Sequence, residues 1–433
     1  MADSVLELED GKITLSRELI ESCIHCGLCL PACPTYLATG REMESPRGRI
    51  FLLAQAQEKN HLEDRAREHI ESCLGCLGCQ TACPSGVHYE GILDQARPTL
   101  ARARSRLTRF VMRFTFERLL PDYKLLRGLG GLMRWAQKWS LDSLALNLAS
   151  KLPGLAYLAG WKQFTPAVPA HKLLPSKSWK PGPKQGRALF FIGCVMDIFY
   201  NHVNHAALRL MVKQGEVVEI PDQTCCGALA FHAGEVDIAR NLARRNVDLF
   251  AGSTDPIVVT SAGCGAMLKH YGDLLDDESA RAFSARVEDI SERLYKTSQE
   301  GKLNCSNSCD PTSVSEVGKN RKIVYHAACH LAHAQGVRKE PQALLSSLAA
   351  DCGAHLYDLN EAEQCCGSAG IYNLMNTPMS LKVLERKMKF IEDSGANLVV
   401  TGNPGCLLQL EAGARLHRLN VKVKHLAEVL DEL

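Results

Sequence analysis

Two copies of one cysteine pattern limit what this chain can fold around. Cys23-Ile-His-Cys26-Gly-Leu-Cys29-Leu-Pro-Ala-Cys33-Pro34 recurs as Cys73-Leu-Gly-Cys76-Leu-Gly-Cys79-Gln-Thr-Ala-Cys83-Pro84. Both obey C-x2-C-x2-C-x3-C-P, the spacing that wraps a [4Fe–4S] cube. Three thiolates on one tight turn can face three iron corners, and the fourth cysteine, beginning the next helix, swings away to the other cluster of a two-cluster protein. This reading assigns Cys23, Cys26, Cys29 and Cys83 to one cluster, and Cys33, Cys73, Cys76 and Cys79 to the other. Gly27, Gly75 and Gly78 let backbone amides approach the cluster sulfides. Structural zinc is the competing reading, but it uses paired C-x2-C elements rather than a triple followed by Cys-Pro. His25 is read as a surface side chain of the loop rather than a ligand.

The chain has 19 cysteines in 433 residues. Eight lie before residue 84, none between Cys83 and Cys194, and eleven from Cys194 onward. The opening MADSVLELEDGK is acidic, unlike a signal or transit peptide. No apolar run reaches the roughly 18 residues that span a bilayer. These features predict a chain kept in a reducing compartment, where cysteines serve metal or redox chemistry rather than disulfides. Ser45-Pro46 followed by RGRIFLLAQAQEKN predicts a capped helix between the motifs, hence a helical ferredoxin module.

Residues 97–138 carry 11 Lys/Arg and 2 Asp/Glu, leaving 39 basic against 46 acidic residues elsewhere. Arg102, Arg106, Arg109 and Arg113 recur at helical spacing, with Leu107, Phe110, Val111 and Phe114 on another face. The spacing predicts one amphipathic basic helix, suited to an anionic membrane face or an acidic partner. Pro166, Pro169, Pro175, Pro181 and Pro183 predict an extended linker after it.

The remainder reads as a duplication. ALFFIGC, VVEIPDQTCCG and PIVVTSAGCGAML return as KIVYHAACH, HLYDLNEAEQCCG and NLVVTGNPGCLLQL, with offsets of 135, 140 and 142 residues at the cysteines. Apolar runs alternating with helical stretches predict α/β units on mostly parallel sheets, each cysteine lying past the carboxyl end of a strand. Cys194, Cys225, Cys226 and Cys264 are expected to converge, as are Cys329, Cys365, Cys366 and Cys406. Cys352 reads as a small buried apolar residue, Cys305 and Cys309 as thiols of a polar loop, and His326, His330 and His333 as structural histidines. The boundaries expected are 1–96, ferredoxin module; 97–186, basic connector and linker; 187–300, first repeat; 301–321, polar loop; 322–433, second repeat. The fold class is thus a mixed α+β and α/β multidomain chain, a helical two-cluster ferredoxin domain followed by a duplicated α/β domain.

Two C-x2-C-x2-C-x3-C-P motifs joined to two Cys…CCG repeats resemble the iron–sulfur subunits of FAD-linked hydroxyacid dehydrogenases. ESCIHCGLCLPACPTYLATGREMESPRGRI and CLGCQTACPSGVHYEGILDQAR resemble the glycolate oxidase branch most. The resemblance implies two [4Fe–4S] clusters here, FAD on separate flavin-binding partner subunits, electrons passed toward membrane quinone, and a cytoplasmic chain peripheral to the inner membrane. It is in keeping with the sequence, in which Gly128-Leu-Gly130-Gly131 lacks the strand-to-helix context of a dinucleotide site and neither a P-loop nor a nucleophile elbow occurs. No nucleic-acid partner is expected. A thiol–disulfide reductase subunit is the alternative, as is the corresponding subunit of a lactate or glycerol-3-phosphate dehydrogenase. Relatives that hold an unusual CCG cluster carry one more cysteine per repeat, where this chain has Ser261 and Asn403. The candidate third centre is therefore left as an ordinary four-thiolate cluster, a zinc site, or thiols near a quinone.

Overall fold

The computed structural model of the chain describes residues 15–149, 164–178, 186–298 and 321–432. Cys305, Cys309, Pro181 and Pro183 lie outside the described residues.

From residue 15 to 102 the described chain is helix and loop: α1 (Arg17–Glu21), α2 (Pro34–Thr39), α3 (Pro46–Glu58), α4 (Asp64–Glu71), α5 (Gly78–Thr81) and α6 (Tyr89–Arg102). Proline opens both α2 and α3, where its missing N–H costs nothing. Ser45 caps α3 by accepting from the Gly48 N–H at 3.0 Å. Ile50, Leu53, Ile70, Ile92 and Leu93 form the core of this module. Leu100 joins the same core, so α6 runs on through Pro98 and past the boundary expected at residue 96. Burial of an apolar face, not the change in charge, decides where that helix ends.

The basic pattern is not one helix. Arg102 ends α6, the chain turns, and Ser105 starts α7 (Arg106–Phe114) by accepting from the Thr108 N–H at 3.2 Å. Met112 and Phe116 enter the core of the first repeat. Arg113 ties the connector there, 2.7 Å from Glu235 and 2.8 Å from Asp237. The other apolar side chains of α7 face outward, Leu107 at 73% and Phe110 at 70% exposure. The exposed apolar surface continues along α8 (Tyr123–Lys138) and α9 (Leu141–Ala149) through Leu132, Trp135, Trp139, Leu144 and Leu148.

The duplicated part holds two sheets. The first contains β1 (Lys177–Ser178), β2 (Gly186–Phe191), β3 (Glu216–Glu219), β4 (Ile257–Val259) and β5 (Val287–Asp289), in the order β1-β3-β2-β4-β5. Only β1 is antiparallel; it is where the proline-rich segment joins the sheet edge. The second holds β6 (Lys322–Tyr325), β7 (His355–Tyr357), β8 (Leu398–Thr401) and β9 (Lys422–His425), all parallel, in the order β7-β6-β8-β9. Apart from β1, the two orders are the same. In each sheet the chain leaves the first strand to one side and returns on the other, which makes the switch point where open α/β sheets form their sites. A shared core joins the repeats, with Phe190 and Met211 from one and Ile323, Leu345 and Leu426 from the other. Cys352 is buried in that core.

Candidate metal centres

In the first ferredoxin loop His25 and Gly27 take left-handed φ of 54° and 84°; in the second Gly75 and Leu77 take 60° and 62°. These residues flank the second cysteine of each motif. Alternating handedness turns successive backbone N–H groups to one side, forming an anion-binding hollow. The glycines also leave room for two arginines. A Cβ on Gly27 would lie 2.6 Å from the Arg47 guanidinium, and one on Gly75 2.6 Å from that of Arg97. The His25 side chain is exposed.

Cys23, Cys26, Cys29 and Cys83 lie on the wall of one cavity. Cys33, Cys73, Cys76 and Cys79 lie on the wall of a second. Cys79 and Tyr89 border both cavities. The fourth cysteine of each motif thus sits beside the first three of the other. Burial pushes the Cys76 and Cys79 thiols well up, with neighbouring thiols adding to the effect. A thiolate there needs positive charge, and Arg49 supplies it. Its guanidinium is buried, donating to Glu44 at 2.9 Å, Ser72 at 2.8 Å and Thr35 at 3.0 Å, with Cys33 Sγ at 3.9 Å. Burial opposes its charge, but Cys73, Tyr89, Cys33 and Glu44 outweigh burial and hold it protonated.

The second repeat covers the second of these cavities. Cys76 packs with Leu74, Cys329, Cys365 and Tyr372 in one buried cluster. Tyr372 donates to the Ser72 carbonyl at 2.7 Å, and Gln364 to that of Pro31 at 2.9 Å. His333 Nδ1 lies 3.1 Å from Thr81 Oγ1, so this histidine is an interface residue.

In the first repeat Cys194 follows β2, Cys225 and Cys226 follow β3, and Cys264 follows β4. Their sulfurs meet: Cys194 to Cys225 at 3.7 Å and Cys226 to Cys264 at 3.3 Å. Cys225 is the thiol pulled well down, because Cys194 and Cys226 donate toward it and the Gly227 N–H adds a third contact at 3.5 Å. Tyr123 from α8 closes over this group. Burial and the four sulfurs hold its phenol protonated, and the hydroxyl has no hydrogen-bond partner among the described residues.

In the second repeat Cys329, Cys365, Cys366 and Cys406 also gather, each buried. His330 Nδ1 lies 3.5 Å from Cys329 Sγ, and its ring meets His232 of the first repeat edge-on at 5.1 Å. His326 is wholly buried beside Cys366 and Cys406. Lys387 sits close to the same thiols, pulled down to about 8 by burial while Cys366 and Cys365 pull the other way. A cavity of ≈ 220 Å³ between the ferredoxin module and both repeats is bordered by Cys73, Arg97, Arg104, His232, His330 and Tyr372.

Arg49, Tyr123, Tyr372 and Lys387 were not singled out by sequence. Each sits in a helix whose sequence carries no motif, and only the tertiary fold shows that its polar end points inward. The donor set fits iron–sulfur chemistry: eight cysteines on two adjoining cavity walls, inward-facing amides and a buried cation.

A helical dicluster module fused to two cysteine-bearing α/β repeats defines an iron–sulfur electron-transfer subunit. Residues 19–87 match the 4Fe-4S dicluster domain family, and residues 188–269 and 323–411 each match the cysteine-rich CCG domain family. The chain is 36% identical over 432 residues to "Probable glycolate oxidase iron-sulfur subunit" of Bacillus subtilis (strain 168), covering 95% of this chain and 93% of that protein. It is 30% identical to the glycolate oxidase iron–sulfur subunit of Escherichia coli (strain K12), covering 98% and 96%. Lactate utilization protein A of Geobacillus kaustophilus (strain HTA426) is 31% identical over 251 residues, 56% of this chain and 97% of that protein. The chain belongs to the glycolate oxidase iron–sulfur subunit family.

Proposed function

We propose that this chain takes electrons from a flavin-binding partner that oxidises glycolate to glyoxylate and delivers them to a membrane quinone, with Cys23, Cys26, Cys29 and Cys83 holding one [4Fe–4S] cluster and Cys33, Cys73, Cys76 and Cys79 the other. The substrate rests on the two relatives that match nearly end to end. The observation that carries the relay is the shared wall. Cys79 borders both cavities, and Cys76 of the second packs against Cys329 and Cys365. When bound, the clusters supply one-electron transfer. The protein holds them close together, excludes water with Tyr89 and Leu74, and balances thiolate charge with Arg49.

Among the described residues no helix is long and apolar enough to cross a membrane. Peripheral contact on the cytoplasmic face is supported by the outward Leu107, Phe110 and Phe114 beside the arginines of α7. Disulfide reductase chemistry needs a reachable thiolate. Cys225, the thiol pulled down most, is 2% exposed, which counts against that alternative.

The test is the intact complex, purified anaerobically with its flavin subunits and assayed with glycolate, lactate and glycerol 3-phosphate. Cys79→Ser should leave flavin reduction by glycolate intact while quinone-analogue reduction falls at least ~100-fold. Equal quinone reduction by wild type and variant would remove the relay.

A further inference from the structure

We propose that the second repeat, and not the first, holds a single tetrahedral metal ion of the zinc class, with His326 as its nitrogen ligand beside Cys366 and Cys406.

The sequence leaves the second repeat one thiolate short of the fuller pattern, with Asn403 in that place. The structure brings an imidazole to the same group from another strand end. His326 follows β6 directly, and its backbone N–H donates to the Val400 carbonyl of β8 at 2.8 Å. The side chain therefore stands at the switch point of the second sheet. One ring nitrogen of His326 and the sulfurs of Cys366 and Cys406 all lie within 4.8 Å of one another, and all three residues are buried.

The imidazole is otherwise unexplained. Its exposure is 0%, and neither ring nitrogen makes a hydrogen bond of good geometry among the described residues, the Ala362 backbone being in contact but outside that geometry. A buried polar group left so is destabilising, and such groups in folded proteins signal a missing ion or water. A water does not suit the site well, since thiols are weak hydrogen-bond partners. A metal ion suits it: thiolate sulfur at about 2.3 Å and imidazole nitrogen at about 2.0 Å put tetrahedral ligands roughly 3.5–4 Å apart. Corner thiolates of a cubane, each bound to a different iron, stand farther apart than that. Two sulfurs and a nitrogen at this spacing select zinc rather than a hard cation. Cys365, whose thiol contacts that of Cys366, is a candidate donor for the fourth position.

The first repeat lacks this arrangement. The position matching His326, at the offset that relates Cys194 to Cys329, is Phe191, whose ring packs 6.2 Å from that of Phe250. Its four sulfurs form a row through the Cys194–Cys225 and Cys226–Cys264 contacts, but no histidine joins them, and no group of three metal donors within 4.8 Å of one another forms there among the described residues. The duplicated halves therefore differ in ligand chemistry although their strand orders agree. The ion ties the ends of β6 and β8 to the CCG loop, the wall against which Cys76 rests.

The experiment uses the full chain, purified anaerobically and freed of loosely held metal. The expected content is about eight irons plus one zinc per chain, and exchange of that zinc for Co²⁺ should give sulfur-to-cobalt charge-transfer absorption. His326→Gln should lower the zinc at least ~10-fold and leave iron unchanged, His326→Cys should restore the zinc, and Cys226→Ser in the first repeat should leave it in place. Should His326→Gln not fold, the wild-type count and Cys406→Ser decide. Wild-type protein without metal beyond the eight irons overturns the proposal. So does zinc undiminished in both His326→Gln and Cys406→Ser, or four extra irons in place of one zinc.

Discussion

Asn403 Oδ1 lies 3.5 Å from Ser261 Oγ, joining the two repeats through the positions where the fuller cysteine pattern carries its additional thiolates. The amide also accepts from the Gly263 N–H at 3.0 Å, and its nitrogen reaches Cys406 Sγ at 3.7 Å. Ser261 in turn caps the helix that bears Cys264, accepting from the Cys264 N–H at 3.3 Å. Two would-be ligands have become the seam between halves. Asn403→Ala should cost about 1–3 kcal/mol, because it orphans a backbone donor at this seam; urea unfolding of the full chain measures it.

Arg49 is the next case. Its charge is compensated by Glu44 and by the cysteines around the second cavity. Arg49→Met leaves the Glu44 carboxylate with only Ser72 and the His69 ring as side-chain partners and should destabilise the chain by about 3 kcal/mol. Adding Glu44→Gln should recover part of that loss. Thermal melts of the single and double variants, with iron content measured alongside, make the comparison.

His425 supplies a pH dependence with a definite sign. Its ring is buried and held down to about 4, chiefly by burial, while Nε2 sits 2.8 Å from the Thr260 carbonyl of the other repeat. An unfolded histidine titrates near 6.5. The unfolded chain therefore takes up a proton first as pH falls, so this contribution to stability is complete above about 6.5 and is lost between there and 4. From pH 7 to 5 the loss is about 2 kcal/mol. Asp289, raised to about 6 by burial, works in the opposite sense over part of the same window. Comparing wild type with His425→Gln isolates the histidine: the variant should show a shallower fall in unfolding free energy over that range.

Membrane docking is tested by flotation with anionic vesicles. Each basic residue near such a surface contributes about 1 kcal/mol. Arg106→Glu with Arg109→Glu should abolish flotation at low salt, and Phe110→Ser should weaken it with the charge intact. Both arginines lie on α7, whose apolar side chains are exposed. Unaltered flotation of both variants would point to a protein partner on that face instead.

Spacing alone made the ferredoxin motifs readable, because three thiolates on one turn admit few other uses. The parallel repeats were readable from apolar runs that end at cysteines. The connector was not: arginines at helical intervals look continuous, and the Ser105 cap that divides them costs nothing in that pattern. Nor was His326 readable as more than a structural histidine. Its standing depends on β6 and β8 lying side by side, a pairing between residues about 75 apart that no local signal encodes.

Tyr372 meets Ser72 across 300 residues of chain. On a ribosome adding about 5–20 residues per second, the second set of cluster cysteines emerges roughly 15–60 s before the repeat that will cover it. Iron delivery therefore has a natural window, open during synthesis and narrowed by its completion. After docking, Cys329, Cys365 and Tyr372 close one side of the second cavity, while Cys26 on the wall of the first stays exposed.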